Sequence, residues 1–403
     1  MVEVRCQDPL KERSQDYVHA LTTVAEVQGV ADAWEECRRG LGDTQLELKP
    51  SWILNDTLTA AEPDRGLLVY LLESDGHPRA VAPFLQRRWA WPCRLGYRTV
   101  ARFPVRSAVL YGTAPLSAPG TGDLGRLMDH IAERPERSQA FMFDAVPVDS
   151  ELWRLLQSCR GLRKRFWIHR PWPQSPRHQV ILEGSFEDYL GRFSRKTRYK
   201  LRSAVSRLAA MAPEGLRAER VTYREQVPEF LRRVHSLSAA SWQGSRLGQV
   251  LQPSPEVERR LTRCAEEGWL RGYLLWVGSR PVAFVLGFQS EGTYHYYQIG
   301  YDPEYAEHSP GKVLLYLLLE DLFTYQAPER VDFGFGDSEY KQLFGNHSYQ
   351  EARVLLIRKS PYTGLALATD RACSALTAAV RLGLRKARLR ERARRRLRGG
   401  TAR

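Results

Sequence analysis

A short run of residues occurs twice in this chain, and that repeat constrains the fold more than any other feature of its 403 residues. Tyr70-Leu71-Leu72 with Pro78 and Ala80 matches Tyr273-Leu274-Leu275 with Pro281 and Ala283, without a gap, 203 residues further on. Each copy reads as strand, turn, strand, because Ser74-Asp75-Gly76-His77-Pro78 and Val277-Gly278-Ser279-Arg280-Pro281 are turn sequences between β-rich apolar runs. A helical stretch follows each hairpin, and then a short strand containing an aspartate, Phe141 to Val146 in one half and Arg330 to Phe335 in the other. These features point to two copies of one unit. Two unrelated hairpins in a mixed fold are the alternative.

The length fits that reading, since it exceeds a typical domain of ~100–200 residues. The composition, 43% hydrophobic and 10% aromatic, excludes a chain that stays disordered for want of apolar surface. Six cysteines, at 6, 37, 93, 159, 264 and 373, stand without close pairs or metal-ligand spacing. They read as free and structural, with no metal site. Glu3, Asp8 and Glu12 occupy the first residues in place of a secretory apolar run. The longest apolar stretch, Val313 to Phe323, is broken by Glu320 and Asp321, short of the ~20 residues that span a bilayer. A cytoplasmic, reducing compartment is the expectation.

The formal charge of +14 is concentrated at one end. From Arg381 to Arg403 there are eleven Lys or Arg against the single Glu391. Such a run suits RNA phosphates or acidic lipid headgroups, or is a solvated helix end. Leu382, Leu384, Leu389 and Leu397 are sparse for a membrane-surface helix, so the tail carries membrane-surface contact only as an open reading.

In the second half, periodicity and breakers predict a helical start and a basic helix over Phe186 to Leu208, helices over Val227 to Ser241 and Glu256 to Glu267, and a meander of Gly272 to Val277, Pro281 to Gln289 and Thr293 to Gly300. A helix over Gly311 to Phe323 then leads into the strand at Arg330 to Phe335. The turn His308-Ser309-Pro310-Gly311-Lys312-Val313 places a helix start, with its free N–H groups and positive dipole end, after a strand. That is a phosphate-binding layout, and equally the start of a core helix.

From about Phe186 to Arg358 the chain resembles the GNAT-fold acetyltransferases of the CelD/BcsL-like group, relatives of the Fem-type peptidyltransferases. The resemblance rests on Ser194-Arg195-Lys196-Thr197-Arg198-Tyr199-Lys200-Leu201-Arg202, Trp242, Pro281-Val282-Ala283, Tyr301-Asp302-Pro303, Ser309-Pro310-Gly311-Lys312, Asp332-Phe333-Gly334, Gly336-Asp337 and Tyr340-Lys341, in that order. It implies an α/β (α+β) chain of tandem GNAT-like domains, each a mixed, mostly antiparallel sheet flanked by helices. The division is a degenerate unit over 1–165, an acyltransferase unit over 166–360 and a basic helix or tail over 361–403. It also implies an acyl-CoA donor, typically acetyl-CoA, and an amine acceptor in cell-envelope, polysaccharide or secondary-metabolite chemistry. The sequence departs from the family's pyrophosphate loop: His308, Gly311 and Val313 stand where Arg or Gln, Gly, and Gly or Ala are usual.

On this resemblance, backbone groups of Ile299, Gly300 and Tyr301 would meet the thioester and pantetheine, and the N–H groups of Ser309, Gly311, Lys312 and Val313 the pyrophosphate. Attack of an amine on a thioester needs a neutral amine, a stabilised oxyanion and a protonated leaving thiolate. Lys341 is the first candidate, since Tyr340-Lys341-Gln342-Leu343-Phe344-Gly345 is similar to a Fem-type Phe-Lys followed by Phe-Gly. Tyr340, Asp337 and Glu339 are the acid/base candidates, although acidic residues are common in such turns. Arg195, Lys196, Arg198 and Arg202, on a helix with no acid, suit an anionic, sugar-linked acceptor or a solvated face. Trp242, His295 and Tyr297 would line the acceptor groove. Two other classes stay open: a Fem-type transferase drawing on aminoacyl-tRNA, with the basic tail on RNA, and a non-catalytic GNAT-fold scaffold.

Overall fold

The computed structural model describes residues 16–58, 65–212, 214–240 and 250–399. The first half runs β1 (Asp16–Leu21), α1 (Val24–Gly40), α2 (Pro50–Leu58), β2 (Gly66–Ser74), β3 (His77–Leu95), β4 (Arg98–Leu110), β5 (Leu116–Ser117), α3 (Asp123–Glu133), β6 (Ala140–Pro147), α4 (Glu151–Ser158), α5 (Arg160–Arg165) and β7 (Phe166–His169). The second runs β8 (Ser175–Ile181), α6 (Phe186–Gly191), α7 (Arg195–Ala209), β9 (Leu216–Val221), α8 (Val227–Ala240), α9 (Pro255–Glu266), β10 (Gly272–Val277), β11 (Arg280–Ser290), β12 (Thr293–Tyr301), α10 (Pro310–Thr324), β13 (Arg330–Asp332), α11 (Glu339–Phe344), β14 (His347–Arg358) and α12 (Pro361–Gly399). One mixed, mostly antiparallel sheet, ordered β1-β2-β3-β4-β6-β14-β8-β13-β12-β11-β10-β9, extends through both halves with helices on its faces.

The repeat seen in the sequence is a repeat of structure. The β2–β3 and β10–β11 hairpins each carry a bulge at the same place, between Leu72 and Glu73 and between Leu275 and Trp276. After each hairpin comes a third antiparallel strand, β4 or β12, then a helix and a strand returning parallel to it, β6 or β13. A helix must intervene because a parallel return cannot be made by a tight turn. Tyr70 and Tyr273 are both buried, and each finds a partner for its hydroxyl: Tyr70 donates to Arg134 O at 2.8 Å and Tyr273 to Asp321 Oδ2 at 2.6 Å.

The halves are interlocked through β14. It pairs with β6 of the first half from Glu351 to Ile357 and with β8 from His347 to Glu351. A strand at the end of one unit thus completes the sheet of the other. At the opposite side of the seam, Glu291, in the β11–β12 turn, accepts from the buried Arg38 at 2.6 and 2.7 Å and pairs with Lys49.

Two sequence expectations are revised and one holds. The strand expected over 330–335 stops at Asp332, because its Oδ1 accepts from Gly334 N–H at 2.7 Å and the chain turns through Gly334 and Gly336, both at positive φ. The helical start and the basic helix expected over Phe186 to Leu208 are α6 and α7, which part at Ser194, the cap of α7 through its acceptance from Thr197 N–H. Strands β8, β9 and β14 lie outside the predicted order, since their polar outer residues blur the alternation that marks a half-buried strand.

Candidate active site

The candidate site begins where β12 leaves β13. The two strands pair only from Thr293 to His295, whereas β12 continues along β11 to Tyr301. Beyond His295 the edge of β12 faces a cleft of ≈ 260 Å³ whose walls include Ile299, Gly300, Tyr301, Ser309, Gly311 and Lys312. A register shift beside Leu286 and Gly287 leaves Tyr297 as an extra residue on β12, which bends the strand at this point. Gly300 is required by packing: a Cβ there would lie 2.5 Å from Phe284 Cε1.

The helix-start turn is narrower than the sequence implies. Ser309 sits in the left-handed region at φ 54°, and its N–H donates to Ala306 O. The N–H groups of Lys312 and Val313 both donate to Ser309 O, at 3.0 and 3.1 Å, and Pro310 has no N–H. Of the donors expected from Ser309 to Val313, Gly311 N–H is left for a ligand, with the Lys312 ammonium beside the cleft. The Val313 side chain is 1% exposed and packs in the core, and the N–H expected at the pyrophosphate is the one taken by Ser309 O.

A second chamber of ≈ 270 Å³ adjoins this cleft across Tyr296, Ile299 and Tyr340, which line both. Lys341 lies at its floor. It is 8% exposed, and its ammonium donates to the carbonyls of Gly334, Phe335 and Gly336 at 3.2, 2.9 and 3.1 Å. Burial, with Arg177 nearby, pushes the Lys341 ammonium down to about 8. Arg177 donates from Nε to both oxygens of Asp332 and from an outer nitrogen to Glu351 at 2.9 Å. Burial opposes ionisation of Asp332, yet the Arg177 charge and hydrogen bonds hold it below the usual carboxylate range. Burial raises Glu351, whose Oε2 has no hydrogen-bond partner.

The chamber opens to a further space of ≈ 270 Å³ walled partly by the first half, through Thr44, Gln45, Glu47 and Thr113. His295 lines both spaces; its Nδ1 is 3.8 Å from Glu47 Oε1, and its buried Nε2 has no partner. Tyr297, 60% exposed, lines the second chamber, while Tyr340 packs against Phe333 and Tyr296 with its hydroxyl raised to about 12 by burial.

Other expected residues stand apart from this path. Asp337 accepts from His178 Nε2 at 2.9 Å and from Gln342, and the His178 bond holds its carboxyl low. Neither it nor the exposed Glu339 lines the chambers. On α7, Arg198 donates to the carbonyls of Gly191 and Phe193, and Arg202 pairs with Glu187. Arg195 and Lys196 are exposed, and none of the four lines the chambers. Trp242 lies outside the described residues. The sequence reading missed Arg177, Glu351 and Glu47, and had Asp332 only as part of a motif. Each is joined to the site by contacts more than 150 residues distant in the chain, which no local pattern signals.

Residues 195–342 match the family model described as Acetyltransferase (GNAT) domain. The fold is similar to the crystal structure of FemX, with a TM-score of 0.56 and 14% identity over 86% of this chain and 99% of that one. It is also similar to a tandem GNAT protein from the clavulanic acid biosynthesis pathway, with a TM-score of 0.51 and 13% identity over 85% of this chain and 100% of that one. No curated protein matches the chain. Residues 195–342 are thus a GNAT domain, and the fold as a whole is that of tandem GNAT structures. Its second half carries the GNAT-domain match and the open β12 edge.

Proposed function

We propose that this protein transfers an acyl group from acyl-CoA to an amine, and that the reaction takes place where the cleft beside β12 meets the Lys341 chamber. The observation that carries this is the continuity of the two spaces across Tyr296, Ile299 and Tyr340, which joins a narrow, largely apolar passage to a buried cationic floor. Phe284, Val285, Ile299 and Leu314 suit the pantetheine arm, while Gly311 N–H and Lys312 suit the pyrophosphate. The acceptor amine would enter from the side walled by Glu47 and Thr113.

In this scheme the amine nitrogen attacks the thioester carbon, a C–N bond forms and the C–S bond breaks. The amine sheds one proton and the thiolate takes one up. His295 Nε2, buried and without a partner, is the group placed to receive the amine proton. The three N–H bonds of protonated Lys341 are held by carbonyls, so it acts on the oxyanion through its positive charge at the chamber wall. The acceptor fitting these walls is a small amine, sugar-linked or anionic, in cell-envelope or secondary-metabolite chemistry, handled in the cytoplasm.

One observation favours a second donor. The turn retains a single free backbone donor, Gly311 N–H, for a pyrophosphate. An aminoacyl-tRNA donor, as in a Fem-type transferase, needs no such loop. Calorimetric titration with acetyl-CoA and longer acyl-CoAs separates the two, repeated with Gly311→Trp to fill the passage. Micromolar binding abolished by the substitution supports the acyl-CoA reading. No binding to any thioester, with salt-sensitive tRNA binding instead, overturns it.

A further inference from the structure

The strands β3 and β4 outrun the sheet. β2 pairs with β3 only as far as Gln86, and β6 pairs with β4 only from Ser107 to Val109, yet β3 and β4 remain paired out to Leu95 and Arg98. Arg87–Leu95 and Arg98–Arg106 therefore form a two-stranded arm projecting from the body. A lone two-stranded ribbon is marginal in water. This arm is backed on one face by α12, where Trp91 and Val105 pack with Ala366 and Leu367, and Gly96 N–H donates to Thr377 Oγ1 at 2.9 Å.

The other face is basic and open. From Gly76 to Gly122 the chain has seven arginines and no Asp, Glu or Lys. Along β4 the alternate residues Arg98, Val100, Arg102, Pro104 and Arg106 are all exposed, as the period of two requires for one face of a strand. The tip adds apolar surface: Tyr97 is 96% exposed and Val100 55%. Beside it, Leu376 and Val380, one turn apart on α12 and flanking Thr377, are 52% and 54% exposed. From there α12 continues to Gly399 through ten Lys or Arg and the single Glu391.

We infer that the tip of this arm and the adjoining length of α12 form a docking surface for membranes rich in anionic phospholipid. Two elements distant in sequence bring exposed apolar side chains and arginines to one end of the molecule, the combination an interfacial site needs. Tyr97, Val100, Leu376 and Val380 enter among the headgroups and upper acyl chains, and Arg98 and Arg102 meet the phosphates. An RNA backbone would match the arginines but leave the apolar tip facing water, so the membrane is the better fit. Among the described residues no helix is long and apolar enough to cross a bilayer; the contact is with the surface. This inference is independent of the transfer reaction.

The test is flotation of the full chain with phosphatidylcholine vesicles, with and without about one third phosphatidylglycerol, and with mixed-sequence RNA as competitor. Binding should be at least about tenfold tighter to the anionic vesicles, weaken as salt is raised, and fall about tenfold in Tyr97→Ser combined with Val100→Ser. Because those side chains are exposed, the circular dichroism of the double variant should be unchanged. Leu376→Ser with Val380→Ser is the second probe should the arm fail to fold. Absence of binding to anionic vesicles overturns the inference. So does binding that both variant pairs leave intact, since the basic end of α12 would then act alone. Displacement of the vesicles by RNA at equal phosphate would likewise overturn it.

Discussion

Arg177 and Asp332 meet across the β8–β13 seam, the guanidinium Nε lying 2.8 Å from each carboxylate oxygen. The same guanidinium reaches Glu351 on β14, so one side chain ties together three strands that carry the chamber wall. Removing it leaves two buried carboxylates without their counter-ion. Arg177→Met is expected to destabilise the fold by about 3 kcal/mol or more, measured by urea denaturation. Glu351→Gln, which leaves the Asp332 pair in place, should cost clearly less.

Lys341 sets the pH dependence. With its ammonium lowered to about 8, the charged form predominates below that pH and is lost above it. If it stabilises an oxyanion, kcat/KM should fall above about pH 8, and Lys341→Met should lower the rate by about 10²–10³-fold and remove that limb of the profile. The stability effect has the opposite sense. The native chain releases this proton near 8 while the unfolded chain holds it to 10.5, so across that window the unfolded state binds more protons and this lysine's contribution to stability rises with pH. Comparison of the pH slopes of unfolding for the parent and Lys341→Met isolates it.

Two glycines of the cleft should respond differently to the same substitution. A Cβ at Gly300 would meet Phe284 Cε1 at 2.5 Å, whereas one at Gly311 would meet Tyr301 Cδ1 at an ordinary 3.7 Å. Gly300→Ala is expected to cost about 1–3 kcal/mol by forcing β12 away from β11, and to weaken donor binding. Gly311→Ala should leave thermal stability nearly unchanged. Differential scanning calorimetry and titration of the two variants check this.

The equivalent tyrosines of the two halves give a test of how far the units have diverged. Tyr70 makes one bond, to a backbone carbonyl, while Tyr273 both donates to Asp321 and accepts from Arg271 Nε at 2.7 Å. Tyr70→Phe should cost about 1 kcal/mol. Tyr273→Phe should cost about 2 kcal/mol, because it strips a partner from the buried Arg271 and from the partly exposed Asp321. Chemical denaturation of both variants decides it.

The exchange of β14 makes a prediction about cooperativity. Because β14 completes the first half's sheet and Glu291 of the second half shares the buried Arg38 of the first with Glu35, the halves should unfold together. Glu291→Gln is expected to lower stability by about 1–3 kcal/mol, since Arg38 is 0% exposed. Coincident fluorescence and circular dichroism transitions would show one unit; separated transitions would refute the coupling.

The local units were legible in the order of residues. Alternating apolar runs around Gly- and Pro-bearing turns defined the two hairpins, and the apolar run Val313 to Leu319 after Pro310 defined α10, because strand and helix periods and turn chemistry are read from neighbours along the chain. From the hairpin repeat came the tandem architecture, and from motif order came Lys341 and the β12 edge. Packing turned Val313 to the core, left the turn one free N–H, and paired Asp337 with His178 away from the chamber. It alone brought Arg177, Glu351 and Glu47 to the site and inserted β14 into the other half's sheet. The physical reason is that a side chain's burial and counter-ions are set by whichever distant strand packs against it, and sequence periodicity carries no information about that partner.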